Sequence, residues 1–282
     1  TTKIKNSRRN KMKKVGKILA SALCVATLVC GTLGAMTGCG SKKESITVSG
    51  SSSVTPIMEK LAAEYEKTHD IRIKINESDS STGIKDVQNG LNDFGMASRD
   101  LTEKDTGVKG YTLCMDGIAL IVNKSCDITD VSKADVKALY ENGTSIPNSS
   151  ITAAIGREAG SGTRKAFDDL MKIEKYLSGT SDKVVSEITS TGGVKTTIAT
   201  ATNSIGYISY GSLDDTVKAV SLDGVACTVE NIMNNTYALQ RPFVIVLKEN
   251  GTLSAAAQGF YDYIMSAEAQ TVITGAGYIS VK

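Results

Sequence analysis

The sequence predicts an α/β fold in which helices flank largely parallel sheets, organised as two lobes. From Ile46 onward, short apolar runs alternate with helical stretches, the pattern of successive βαβ units. The 282 residues are long for one ordinary domain and comfortable for two. Only three prolines occur, so no composition-marked linker separates the halves, which suits a chain that crosses between lobes inside its sheets.

The elements follow in order. Ile46–Ser49 reads as the first strand. Thr55 is placed to cap a helix with Pro56 at its first position, and Ile57, Leu61 and Tyr65 give that helix an apolar stripe. Ile71, Ile73 and Ile75 alternate with Arg72 and Lys74, the mark of a half-exposed strand. A short helix is expected over Ile84–Asn89, closed by Gly90, and a strand over Phe94–Ala97. Further strands are expected at Ile118–Val122, Ile151–Gly156, Ile205–Ser209 and Phe243–Leu247. Helices are expected near Lys133–Tyr140, Thr163–Met171, Val194–Thr200 and Ser254–Met265. No internal repeat at solenoid spacing is present.

The front of the chain is different in kind. Residues 1–38 hold eight basic residues and no acidic one, leaving a body with 24 basic against 30 acidic residues, a net of −6. An acidic body argues against a nucleic-acid partner, which requires a basic face to displace counterions. Met12-Lys-Lys-Val-Gly-Lys17 is a positively charged start, and Ile18–Ala35 is apolar or small-residue throughout. Met36-Thr-Gly-Cys39 then resembles a lipobox, so residues 1–38 are expected to be a signal peptide whose native start is Met12. Cys39 would carry the lipid, and residues 39–45 would be the tether to the outer face of the cytoplasmic membrane. The alternative is a single membrane anchor, against which the run is short and rich in Gly, Ala, Thr and Cys. Three cysteines remain in the body, Cys114, Cys126 and Cys227; their spacing fits no metal site, and buried free thiols are expected, with one disulfide as the alternative.

Three segments share one design, a strand end followed by Ser, Thr and Gly and then a helix start. They are Gly50-Ser-Ser-Ser-Val-Thr-Pro56, Ser78-Asp-Ser-Ser-Thr-Gly83 and Gly156-Arg-Glu-Ala-Gly-Ser-Gly-Thr163. Each sets hydroxyls and unpaired backbone N–H groups at a helix N-terminus, where the positive end of the dipole favours an anion. Strand-end turns gather at the same edge of an open α/β sheet, so the three can converge on one ligand. Capping alone accounts for any single cluster. Arg157 strengthens the anion reading, because its planar donor fork matches an oxyanion; a surface ion pair with Glu158 is the other reading of that residue.

With these segments assembled, the chain resembles the phosphate-binding proteins of phosphate-specific ABC transporters, in their shorter form. Thr47-Val-Ser-Gly-Ser-Ser-Ser-Val-Thr-Pro56, Phe94-Gly-Met-Ala-Ser-Arg99 and Gly156–Arg164 carry the likeness, which extends from Ile46 to Lys282. The resemblance implies a type II periplasmic-binding-protein fold, with each lobe a mixed, mostly parallel sheet flanked by helices. Lobe I would comprise residues 46–122 and 221–282, and lobe II residues 123–220. It implies phosphate held by Ser52, Ser53, Ser80, Ser81, Arg157, Ser161, Gly162 and Thr163, with no cofactor. It further implies a monomer on a Gram-positive cell surface, delivering phosphate to permease subunits driven by a cytoplasmic ATPase.

The sequence departs from the longer form of the family at one telling place. There a buried Asp accepts the proton of hydrogen phosphate; here Ser98 holds that position, followed by Arg99. Asp116 is the expected substitute acceptor and Arg99 a second cationic donor, with Glu77, Asp79 and Asp100 next in line as acceptors. Two other function classes compete. A hydrolase built on a Ser-rich turn would need His69 beside a serine, and no Gly-x-Ser-x-Gly elbow or nucleotide phosphate loop is present. A binding protein for sulfate or molybdate would use the same donors.

Overall fold

The computed structural model describes residues 43–177 and 184–282; the signal segment and Cys39 lie outside the described residues. In chain order the elements are β1 (Glu44–Ser51), α1 (Thr55–Glu66), β2 (Ile71–Ser78), α2 (Ser80–Gln88), β3 (Phe94–Ala97) and β4 (Val108–Val122). Next come β5 (Asp130–Val131), α3 (Lys133–Asn142), β6 (Ala153–Arg157), α4 (Gly162–Met171), β7 (Val185–Ile188), α5 (Thr191–Thr200) and β8 (Ser204–Ser209). The chain ends with β9 (Lys218–Leu222), α6 (Val229–Met233), β10 (Gln240–Lys248), α7 (Ala255–Ile264) and α8 (Ala267–Gly275).

The strands line up as β2-β1-β3-β10-β4-β8-β6-β7, with β9 pairing β4 and β5 off that path. Pairings at both ends, β2-β1-β3 and β8-β6-β7, are parallel, as the βαβ pattern predicts. The middle is antiparallel and turns on β4. Its Val108–Gly117 half pairs with β10, and its Ile118–Val122 half pairs with β8 and β9. The buried apolar side chains divide at the same place. Ile46–Cys114 and Phe243–Tyr278 supply one core, with a small satellite around Ile84 and Val246. Ile118–Leu239, with Ile279, supplies the other. Residues 118–122 and 222–239, assigned with lobe I from sequence, therefore pack in the second core.

Several local expectations need correction. The strand at Ile118–Val122 is the apolar end of a 15-residue strand that is buried from Leu113 onward except at Met115; the preceding Lys109–Thr112 stretch is exposed and carries no apolar pattern. β1 starts at Glu44, so Glu44 and Ser45 pair with Ile71 and Arg72 rather than belonging to a tether. Val54, not Thr55, occupies the cap position of α1, and no side chain caps that helix; the Thr55 hydroxyl donates to the Ser51 carbonyl at 3.3 Å. α2 begins at Ser80, four residues before the apolar stripe that predicted it, because Asp79 caps it by accepting the Thr82 N–H at 2.9 Å. β5, β7, β9, α6 and α8 carry no clear sequence signal: each is short or opens on small residues. Gly50 is required where β1 turns toward α1. Its φ is +137°, and a side chain there would strike the Met96 carbonyl of the neighbouring strand.

Candidate anion-binding site

Four helix N-termini meet at one point. α1 and α2 follow strands of the first core, and α4 and α5 follow strands of the second. Between them lies a cluster of hydroxyls, every one on a buried residue. Ser53 Oγ stands 2.9 Å from Thr163 Oγ1 and 2.8 Å from Thr191 Oγ1. Ser52 Oγ accepts the Thr191 N–H at 3.1 Å. Ser51 donates to Ser98 Oγ at 2.8 Å, and Ser98 Oγ lies 3.4 Å from both Ser80 Oγ and Thr163 Oγ1. The Ser98 N–H donates to Ser80 Oγ at 3.1 Å. Gly162 is glycine because of this crowding: a Cβ there would collide with Ser80 Oγ and come within 2.8 Å of Ser98 Oγ.

Two buried guanidinium groups reach the cluster from opposite cores. Arg157, at the end of β6, donates to Ser52 Oγ at 3.2 Å and Thr191 Oγ1 at 3.3 Å. It also pairs with Glu158, at 2.9 and 2.8 Å, so the ion pair foreseen from sequence and the contact with the cluster coexist. Arg241, on β10, donates to Thr163 Oγ1 at 2.6 Å and to the Ser98 carbonyl at 3.1 Å. Helix dipoles, hydroxyls and two guanidinium groups make this a strongly anion-favouring point in a dry setting. His69 lies elsewhere, stacked on Tyr65 with ring centroids 3.7 Å apart, so no serine of the cluster has an imidazole partner. Among the described residues no cluster of His, Cys, Asp or Glu could hold a metal ion. Cys114, Cys126 and Cys227 are buried free thiols, as expected; burial pushes the Cys227 thiol up to about 12.

The two substitutes chosen from sequence for the missing carboxylate chemistry are both spoken for. Asp116 is fully buried and accepts from Arg241 through Nε at 3.2 Å and Nη2 at 3.1 Å. Its other oxygen accepts from Ser209 Oγ at 2.9 Å and the Gly211 N–H at 3.4 Å. Asp116 therefore anchors Arg241, with both of its carboxylate oxygens engaged inside the protein. Burial pushes this carboxyl up from its ordinary value, and the Arg241 charge opposes that shift. Arg99 turns away from the cluster: it makes a fork to Asp105 at 2.7 and 3.2 Å and a bond to the Asp100 carbonyl. Burial of the Asp105 carboxyl is outweighed by the Arg99 and Thr102 bonds, which hold it below its usual range.

The remaining expected residues divide. Ser52, Ser53, Ser80, Ser98, Arg157, Gly162 and Thr163 converge. Ser161 caps α4 by accepting the Arg164 N–H at 3.2 Å, and Ser81 contributes its N–H to the Gly160 carbonyl at 3.2 Å. Of the reserve acceptors, Asp79 caps α2 and Asp100 is exposed. Glu77 lines a cavity of about 400 Å³ together with Ser52, Thr191 and Lys195; burial pushes its carboxyl up, against the pull of Arg157. A cavity of about 670 Å³ at Ser125–Ile128 and Asn148–Ser150 has no cationic lining and offers an anion little.

Thr191 and Arg241 are the residues that sequence reasoning missed. Ser190-Thr-Gly-Gly193 repeats the same Ser/Thr/Gly design between β7 and α5, and that signal was available. Ser190 caps α5 with φ at +124° and ψ at 153°, a region nearly reserved for glycine, so the turn that presents Thr191 is strained. Arg241 had a weaker signal, a lone charge in the apolar run Tyr237–Leu247.

A family model for the periplasmic-binding-protein (PBP) superfamily domain matches residues 37–268. A crystal structure described as a phosphate ABC transporter substrate-binding protein with bound phosphate, from Clostridium perfringens, is 36% identical with a TM-score of 0.77. It covers 85% of this chain and 100% of that one. The chain belongs to this family of phosphate substrate-binding proteins. Its fold is the family's mixed α/β periplasmic-binding-protein fold. The phosphate-binding protein PstS of Bacillus subtilis is 28% identical over 295 residues, 96% of this chain and 95% of that protein. PstS 2 of Streptococcus agalactiae serotype V is 44% identical over 102 residues; there the chain spans only about a third of the relative's length, 35%.

Proposed function

We propose that this chain captures inorganic phosphate outside the cytoplasmic membrane and delivers it to an ABC importer. It works by binding alone and is not an enzyme. The observation that carries this reading is the convergence of four helix N-termini and two buried arginines on one hydroxyl cluster. The phosphate bound to the relative from Clostridium perfringens supports phosphate as the anion. The ligand contacts are assigned to Ser52, Ser53, Ser80, Ser98, Arg157, Ser161, Gly162, Thr163, Thr191 and Arg241. Arg241 takes the role first given to Arg99.

Two lobes closing on the anion supply the mechanism. The division of the core within β4 and before Phe243 supports crossings near Met115–Gly117 and Gln240–Arg241 rather than at residues 122 and 220. Arg241 and Asp116 are cross-strand partners at that crossing. Arg241 touches Ser98 of one lobe and Thr163 of the other, so an anion bridging the lobes stabilises the closed member of an existing equilibrium. The closed monomer then docks on permease subunits coupled to a cytoplasmic ATPase. A lipid on Cys39 keeps it at the outer face of a Gram-positive membrane, and the basic start at Met12–Lys17, the apolar run Ile18–Ala35 and the Met36-Thr-Gly-Cys39 motif support that anchor.

Calorimetric titration of the purified protein with phosphate, arsenate, sulfate and molybdate tests the assignment. Saturable phosphate binding is expected. Tight sulfate or molybdate binding with no phosphate response would contradict it.

A further inference from the structure

Behind Arg157 lies a second layer of polar side chains that does not touch the hydroxyl cluster. Both main-chain groups of Arg157 are held by it. The Arg157 N–H donates to Tyr207 Oη at 3.2 Å, and the Arg157 carbonyl accepts from Arg164 Nη1 at 2.9 Å. Tyr207 Oη is 2.7 Å from Tyr176 Oη. The Arg164 guanidinium sits 4.1 Å over the Tyr176 ring, flanked by Asp168 at 3.6 Å and Glu187 at 2.9 Å. Packing leaves this layer little slack: Tyr207 stacks on Phe167 with centroids 4.0 Å apart, and a Cβ at Gly156 would come within 2.6 Å of the Tyr176 ring.

We propose that Tyr207, Tyr176, Arg164 and Asp168 form a proton-sensitive clamp that positions Arg157 for its anion. The inference rests on Arg157 being a phosphate ligand. Its basis is the direction of the hydrogen bonds. A backbone N–H can only donate, so the Tyr207 oxygen accepts from Arg157. The Tyr207 proton then goes to the Tyr176 oxygen, while Asp168 meets this layer through Arg164, Oδ2 to Nε at 3.6 Å, and its Oδ1 is buried without a partner. An ionised Asp168 keeps a counter-charge beside Arg164, the donor that holds the Arg157 carbonyl. A protonated Asp168 removes that counter-charge and loosens the guanidinium that holds the Arg157 main chain.

The surroundings put the change within reach of ordinary pH. Burial pushes the Asp168 carboxyl up to about 6, with Tyr176 and Arg164 opposing and Asp169 adding to the rise. The groups facing it are Arg164 and Asp169 on α4, Tyr140 on α3, Tyr176 on the segment after α4, Glu187 on β7 through Arg164, and Tyr207 on β8. Burial raises all three tyrosine hydroxyls above their ordinary range, so they stay protonated.

The test is a phosphate titration of purified wild type, Tyr207→Phe and Asp168→Asn between about pH 5 and about pH 7.5. The phenyl ring keeps the stacking on Phe167 and removes the acceptor for the Arg157 N–H together with the bond to Tyr176 Oη, so Kd should rise about fivefold or more. Arg164→Lys, which keeps the charge but loses the fork, gives the same reading should Tyr207→Phe not fold. The ratio of the Asp168→Asn Kd to the wild-type Kd cancels the ligand's own titration. It should be greatest at the upper pH and fall toward one through about pH 6. Wild-type binding with an unchanged clamp variant, or with a flat ratio, overturns the clamp. Absence of phosphate binding by the wild type overturns the function on which it rests, and the two failures are thus distinct.

Discussion

Replacing Asp116 by Asn separates the role the structure gives this residue from the one its sequence position suggests. Asp116 and Arg241 are 0% and 1% exposed in their side chains and meet through two guanidinium nitrogens. Removing the negative partner leaves a guanidinium charge in a dry site, a change that destabilises by about 3–5 kcal/mol. For a body of this size that corresponds to a fall in Tm of about 6–20 °C. Differential scanning calorimetry and denaturant titration measure it. A double replacement, Asp116→Leu with Arg241→Met, should regain much of the lost stability, because an apolar pair of similar volume is often neutral relative to a buried ion pair. It should nonetheless fail to bind phosphate, since Thr163 and Ser98 lose their Arg241 donor. Reading the phosphate proton through Asp116 would instead predict a loss of phosphate-over-sulfate discrimination of up to about 10⁴-fold, with stability intact. That second pattern would refute the anchoring role.

Other variants probe the same site from different sides. Gly162→Ala drives a methyl group into Ser80 Oγ and Ser98 Oγ and should raise the phosphate Kd by about tenfold or more, read by calorimetry. Thr191→Val removes one hydroxyl without changing shape, so it should weaken phosphate binding by about fivefold, measured as Kd against an unchanged circular dichroism spectrum. Arg99→Gln disturbs the Asp105 fork and the bond to the Asp100 carbonyl and should leave phosphate Kd within about twofold, while lowering Tm; a large loss of affinity would restore Arg99 to the site. The raised Asp168 carboxyl has a stability signature as well. Its unfolded value is about 3.9, so ionisation is disfavoured by folding. Stability from this group is full below that value and is lost as pH rises through about 6. The Tm of Asp168→Asn relative to wild type should therefore climb between about pH 4 and about pH 7.

Much of the frame was legible in the sequence because its signals are local. The parallel βαβ ends follow from alternating apolar runs, and three of the four Ser/Thr/Gly turns stand out beside their strands. The fourth was overlooked because helix periodicity starts at Val194, while Thr191, Gly192 and Gly193 carry no apolar signal. α2 shows the same effect, with its first turn hidden in Ser80–Thr82. What sequence reasoning could not reach was pairing across distance. Arg241 finds Asp116 across a sequence separation of 125, and only the β4–β10 register brings them opposite. Arg99 looked available because Asp105, six residues on, gives no pattern that marks it as a partner. Two cations, Arg99 and Arg157, and four candidate acceptors, Asp116, Glu77, Asp79 and Asp100, were thus visible as residue types, while which of them face the cluster was decided by the fold.

A crystal structure of the protein grown with phosphate tests the central claim most directly. One tetrahedral anion is expected within hydrogen-bonding distance of Arg157, Arg241, Ser53 and Thr163, at the point where α1, α2, α4 and α5 begin. An anion bound elsewhere, with these hydroxyls still bonded to one another as in Ser53–Thr163 at 2.9 Å, would contradict it.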